Sequence, residues 1–158
     1  MSFMAIDPGL QATGYAIWDQ HYVPMICGVL SGPKGPDWMK RVDVIALAVR
    51  DLVRRYSVTS ILCEQMELFG TSMSRMAWST GDLQRTVFLC GMIHGMTVKR
   101  VTKFDLVPPR TWKGQLPKSV TIRRVTKALG AKTCRELNIQ THAWDAVGMG
   151  LWKMGRIS

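Results

Sequence analysis

Three short apolar runs stand close together at the start of the chain: residues 3–6, Thr13–Trp18 and Pro24–Leu30. They are rich in β-branched and aromatic residues, with Asp7-Pro8-Gly9 and residues 19–21 supplying turns between them. Gaps this short leave no room for a crossover helix, so the spacing predicts an antiparallel meander of three strands. Whatever follows must cover the faces of that sheet.

The next segments do so. Gly32-Pro33-Lys34-Gly35-Pro36 reads as a loop and Asp37 as a helix N-cap. Trp38, Val42, Ile45, Val49, Leu52 and Tyr56 then recur at alternating four and three, one apolar stripe on a helix. Lys40, Arg41, Arg50, Arg54 and Arg55 fall mostly on its other faces. Residues 58–63 read as a buried strand ending at Glu64. Residues 73–94 read as a helix with Met76, Leu83, Val87 and Cys90 inward and a break near Gly81-Asp82. Its methionines read as core filler, and Gly91 and Gly95 would let it approach a neighbour closely. Residues 96–101 read as a fifth strand, and 104–116, with Pro108 and Pro109, as a basic loop. A helix is expected over Lys118–Leu129, ending at Gly130, and a last one from about 141 to 154. The order predicts a single α/β domain over 1–158, with a sheet of mixed strand direction and helices on its faces.

The chain has 158 residues, 21 basic and 11 acidic, for a formal net charge of +10. The excess is localised. Residues 99–135 hold eleven basic residues against one acid, Asp105, and the remainder is balanced. A solvated basic surface would explain any single run. A neutral remainder favours a dedicated polyanion-facing surface, with nucleic acid first and anionic membrane second.

No apolar run approaches the roughly 20 residues of a membrane span, and the N-terminus lacks the pattern of a signal peptide. Cys27, Cys63, Cys90 and Cys134 lie far apart with no CxxC pair, which argues against a zinc or disulfide framework. They read as reduced, mostly buried thiols of a cytoplasmic protein.

The acids outside the basic stretch are the more specific signal. Asp7 follows an apolar strand, Glu64 ends another, and Asp145 sits in the first turns of an apolar helix. A carboxylate at the edge of an apolar element is costly unless paired or metal-bound. His142 and Asp145, three apart with Thr141 as N-cap, would share a helix face; His21 and His94 read as structural or surface residues. Mostly oxygen ligands suit Mg²⁺, and one imidazole leans toward Mn²⁺. Carboxylates beside a basic surface suit metal-assisted phosphodiester cleavage.

These residues carry a resemblance. Ala5-Ile6-Asp7-Pro8-Gly9 with Thr13-Gly14-Tyr15 resembles the opening of the RuvC family of Holliday junction resolvases, in the ribonuclease-H-like superfamily. Ile61-Leu62-Cys63-Glu64-Gln65 resembles its second acidic motif and His142-Ala143-Trp144-Asp145-Ala146 its third. Lys118-Ser119 and the basic helix after it resemble the lysine-bearing segment, and Trp112-Lys113 its upstream basic position. The match runs in order over almost the whole chain.

The resemblance implies a five-stranded mixed sheet flanked by helices, and a homodimer acting on a four-way or other branched DNA junction. It implies two Mg²⁺ or Mn²⁺ ions per site, with Asp7 bridging them and Glu64, His142 and Asp145 completing their shells. Lys118 would meet the scissile phosphate and Lys113 a second phosphate. Phe69 would be an aromatic wedge at the crossover, with packing as the competing reading. Arg110, Arg123, Arg124 and Lys127 join the expected DNA contacts on charge and position. The loop between Lys113 and Lys118 is shorter than in the bacterial enzymes, which leaves the cut-site preference open. The Met- and Trp-rich, glycine-bearing helices point to a phage or divergent member, working in a bacterial or phage-infected cell.

Two other readings compete with junction resolution by paired nicking. A related nuclease of relaxed specificity, for branched DNA or RNA, needs only the same metal site. A non-catalytic junction binder would use the basic segment but give no reason for the carboxylates. An actin-like ATPase, which opens on a similar strand turn, needs two lobes and is excluded by length.

Overall fold

The computed structural model describes residues 2–67, 76, 78–114 and 116–157. Five strands form one sheet: β1 (Ser2–Asp7), β2 (Thr13–Trp18), β3 (Pro24–Leu30), β4 (Val58–Glu64) and β5 (Lys103–Val107), in the order β3-β2-β1-β4-β5. The meander β1–β3 is antiparallel, whereas β4 and β5 run parallel to β1. The helices whose bounds fall among the described residues are α1 (Trp38–Arg55), α2 (Asp82–Thr97), α3 (Pro109–Trp112), α4 (Lys118–Leu129), α5 (Ala131–Glu136) and α6 (Ala143–Lys153). No helix among the described residues is long and apolar enough to cross a membrane.

Period two divides the central strands between two cores. Met4, Ile6, Ile17, Ile61 and Cys63 face α1 and α2, packing on Val42, Ile45, Val49, Leu89 and Ile93. Phe3, Ala16 and Trp18 face the other way, onto Val125 of α4 and Ala146, Val147 and Leu151 of α6. Ala5 and Leu62 lie on that second side with Val107, Trp112 and Met149. Ala5 pairs with Leu62 in the parallel ladder, so Asp7 and Glu64, each two residues further on, emerge on the α6 side. The alternation that buries the strands thereby aims both carboxylates at one helix.

The meander, α1, β4 and the Lys118–Leu129 helix lie where the sequence predicts, with Asp37 capping α1 through a 3.0 Å bond from the Lys40 amide. Arg41 departs from its expected outward face. It is buried, and its guanidinium donates to the carbonyls of Pro33 and Gly35, tying the 32–36 loop to α1.

The break expected in the 73–94 helix falls at Gly81, and the inward face after it keeps Cys90 but is otherwise not the expected one. Residues 73–75 and 77 lie outside the described residues, and α2 begins after Gly81, whose φ of 79° suits glycine. Its buried face is Thr86, Leu89, Cys90, Ile93 and Thr97, while Met76 and Val87 are exposed.

The expected strand at 96–101 is instead the end of α2 and a turn. Thr97 Oγ1 donates to the Ile93 carbonyl at 2.8 Å and helps close the helix. The fifth strand comes later, over Lys103–Val107, inside the stretch expected to be a basic loop. Thr102 starts it by donating its amide and hydroxyl to the Thr59 carbonyl. Pro108 and Pro109 then turn the chain into the short helix α3. The four cysteines are free, and only Cys27 is not buried.

Candidate active site

The site is built at the C-terminal ends of β1 and β4, two adjacent parallel strands at the centre of the sheet. Asp7 ends β1, Glu64 ends β4 and Asp145 lies in the first turn of α6. Gly14 of β2 pairs with Asp7 in the ladder. A Cβ at position 14 would overlap the His142 carbonyl oxygen, so only glycine lets the start of α6 lie this close to the end of β1. The Thr13-Gly14 pair is thus the device that brings Asp145 to Asp7.

Three carboxylates gathered in this way oppose one another. Burial, then repulsion from Glu64 and Asp145, pushes the Asp7 carboxyl from its ordinary 3.8 up to about 8, against the attraction of Lys113 and Lys118. Burial also raises Glu64, partly offset by Lys113 and by a bond from Trp112. Glu64 is only 4% exposed, so water does little to relieve its charge.

Two lysines supply the compensation. Lys113 Nζ stands 3.0 Å from Glu64 Oε2 and 3.9 Å from Asp145 Oδ2. Lys118 Nζ, at the first residue of α4, is 3.4 Å from Asp145 Oδ2. Burial works against the charge on Lys113, but Glu64, Asp145 and Asp7 outweigh it and hold the ammonium above its usual range. Trp112 donates its indole N–H to Glu64 Oε2 at 2.9 Å. Lys113 also lies 4.8 Å from the centroid of that ring.

Asp7, Glu64, Asp145, Lys113 and Lys118 are therefore one electrostatic cluster. Lys113 is turned toward the carboxylates rather than out toward a phosphate. His142 is exposed and forms the N-cap of α6 without a side-chain cap bond, so it stands just outside the helix instead of inside its first turn. Phe69 lies outside the described residues. Arg110 is exposed and paired with Glu67 at 3.2 Å. Arg123 and Lys127 are exposed and Arg124 half-buried along α4, the helix that Lys118 opens. The participant that sequence reasoning missed is Trp112, whose role shows only in the hydrogen bond.

Among the described residues, no three His, Cys, Asp or Glu side chains stand together in ligating geometry. The chemistry of the donors nonetheless fits a hard divalent cation. Asp7, Glu64 and Asp145 are oxygen donors whose mutual repulsion two ammonium groups leave unrelieved at Asp7.

The architecture is an α/β fold: a mixed five-stranded sheet, antiparallel across its first three strands, flanked by helices and carrying acids at the ends of β1 and β4, and it is the fold of the solved RuvC structures. No protein-family model matches the chain, and no curated protein matches its sequence. Among solved structures it is similar to Thermus thermophilus RuvC, with a TM-score of 0.68 and 17% identity over 99% of this chain and 98% of that one. It is similar to the T. thermophilus RuvC solved with a Holliday junction substrate, at TM-score 0.61 and 15% identity over 99% and 97%. The fowlpox virus Holliday junction resolvase follows at TM-score 0.56 and 15% identity over 98% of both chains.

Proposed function

We propose that the chain is a divalent-metal-dependent endonuclease that resolves four-way DNA junctions by paired nicking. The observation that carries this reading is the convergence of Asp7, Glu64 and Asp145 beside Lys113 and Lys118, in a fold shared with proteins named as Holliday junction resolvases. Asp7, Glu64 and Asp145 would hold two Mg²⁺ or Mn²⁺ ions, with His142 adding an imidazole from the start of α6. Bound there, such ions activate water and neutralise charge on the attacking and leaving oxygens of a phosphodiester.

The chain's own residues do the rest. Lys118, more exposed than Lys113, meets the scissile phosphate and steadies charge as the bond breaks. Lys113 balances the carboxylates when no cation is bound. Arg123, Arg124 and Lys127 track the phosphate backbone along α4, Arg110 adds a contact beyond the site, and Phe69 is the proposed wedge at the crossover.

Two cuts on symmetric strands require two sites, so the reading includes a homodimer. A shallow groove lined by Val87, Cys90, Gly91, His94, Phe104 and Leu106 supports it. Val87 and Leu106 are each about half exposed there, and a Cβ at Gly91 would meet nothing within 4 Å among the described residues. Light scattering at twice the chain mass is the expected result; a monomer at assay concentration would contradict it.

A second reading, a junction-binding protein that does not cut, is favoured by one observation: the ammonium of Lys113 already lies between Glu64 and Asp145. Competition among a four-way junction, a flap, a linear duplex and an RNA duplex, with EDTA, Mg²⁺ and Mn²⁺ in turn, separates the readings. Cutting of the junction with either metal and none in EDTA is expected. Junction binding with no cutting in any divalent metal would replace the first reading by the second, and equal cutting of all substrates would mean relaxed specificity.

A further inference from the structure

We propose that Trp112 is the positioning residue for Glu64, its indole N–H fixing one carboxylate oxygen so that the other is presented to a cation. The inference rests on the metal-dependent reading above and names a residue that reading does not require.

The geometry is specific. Trp112 Nε1 lies 2.9 Å from Glu64 Oε2, and both residues are 4% exposed, so the bond is made out of water where it is strongest. The same oxygen takes the 3.0 Å contact from Lys113, and Oε1 has only the longer 3.4 Å one. Oε2 is thus the anchored atom and Oε1 the freer one.

The ring is itself held in place. It packs with Ala5, Leu62, Val107 and Met149, and a Cβ at Gly148 of α6 would stand 3.0 Å from its Cζ3. Glycine at 148 therefore lets α6 close down on the indole that orients Glu64.

The two partners of Oε2 differ in kind. Lys113 carries a charge, so an entering cation repels it. An indole N–H is a neutral donor that neither ligates nor titrates in the working pH range. It keeps its bond when the cation arrives and holds the rotamer that the ligand needs. Partners of this sort orient metal ligands, and losing one typically costs about 10–100-fold in metal affinity.

The test is Mn²⁺ binding to the DNA-free protein by titration calorimetry, with thermal denaturation of the same samples. Trp112→Phe removes the N–H and keeps most of the packing. Trp112→3-benzothienylalanine removes the N–H and keeps the two-ring shape, so it remains informative if the Phe variant folds poorly. Both are expected to weaken Mn²⁺ binding by about 10–100-fold, with the benzothienyl protein melting as the wild type does. A benzothienyl protein that binds Mn²⁺ within twofold of wild type overturns the inference while leaving the metal reading intact. A wild type that takes up no Mn²⁺ overturns both.

Discussion

Asp7 carries the main electrostatic tension of the molecule. Burial and two neighbouring carboxylates raise its carboxyl from 3.8 to about 8, so the folded metal-free protein holds a proton there that the unfolded chain releases. Between about pH 4 and pH 8 the native state then binds more protons than the unfolded one, and stability falls as pH rises through that window. In EDTA, melting temperature should drop across it, and Asp7→Asn should flatten the profile and melt higher than wild type at pH 8. A wild-type profile parallel to that of Asp7→Asn would contradict the placement of this tension. Lys118 gives a second prediction at the same scale. Its contact to Asp145 and its exposure imply that Lys118→Ala lowers cutting far more than junction binding, read by single-turnover rates beside a binding isotherm. Equal losses would make it a docking residue only. Asp7, Glu64 and Asp145 were legible in the sequence because each interrupts or ends an apolar element. Trp112 was not, because in a stretch that reads as a basic loop, beside Lys113, nothing in the sequence marks an indole N–H as facing an acid. The direction of Lys113 was equally hidden, since charge reveals a cation but not which anion it faces.

Among the elements, the meander, α1, β4 and α4 followed from local pattern, since each carries both a clear period and a clear terminus. The break at Gly81 and the helix after it followed too, but not that helix's inward face or the strand beyond it. The helix α2 is buried along Thr86, Leu89, Cys90, Ile93 and Thr97, whereas an apolar reading selects Met76 and Val87. Two threonines on the inner face break the hydrophobic period while bonding back to their own helix carbonyls. The edge strand β5 reads Lys-Phe-Asp-Leu-Val, and its charges disguise it beside two prolines. Those charges are used: Asp105 pairs with Lys103 at 2.9 Å and lies 3.8 Å from Lys153. The corrected register has a mutational signature. Ile93→Ala should cost about 2–5 kcal/mol by denaturant unfolding, while Met76→Ala should stay within about 0.5 kcal/mol. The reverse order would restore the register expected from apolar periodicity.

For the whole molecule, the net charge of +10 resolves into a neutral body and one basic segment that runs from the turn before β5 through α5. Two of its lysines are drawn into the carboxylate cluster, Lys103 pairs with Asp105 and Arg110 with Glu67, and Arg123 and Lys127 stand exposed along α4. Junction binding should therefore weaken steeply with salt as phosphate contacts release counterions. Replacing Arg123 and Arg124 together by Ala should reduce the log–log salt slope by about 1–2. An unchanged slope would remove α4 from the DNA surface. If the carboxylate cluster cuts DNA, Asp7 is indispensable to cutting. In Mn²⁺, single-turnover cleavage of a synthetic four-way junction by wild type and by Asp7→Asn should differ by at least about a hundredfold, with binding of the junction retained by both. Equal rates of cutting would mean that the carboxylate cluster is not where DNA is cut.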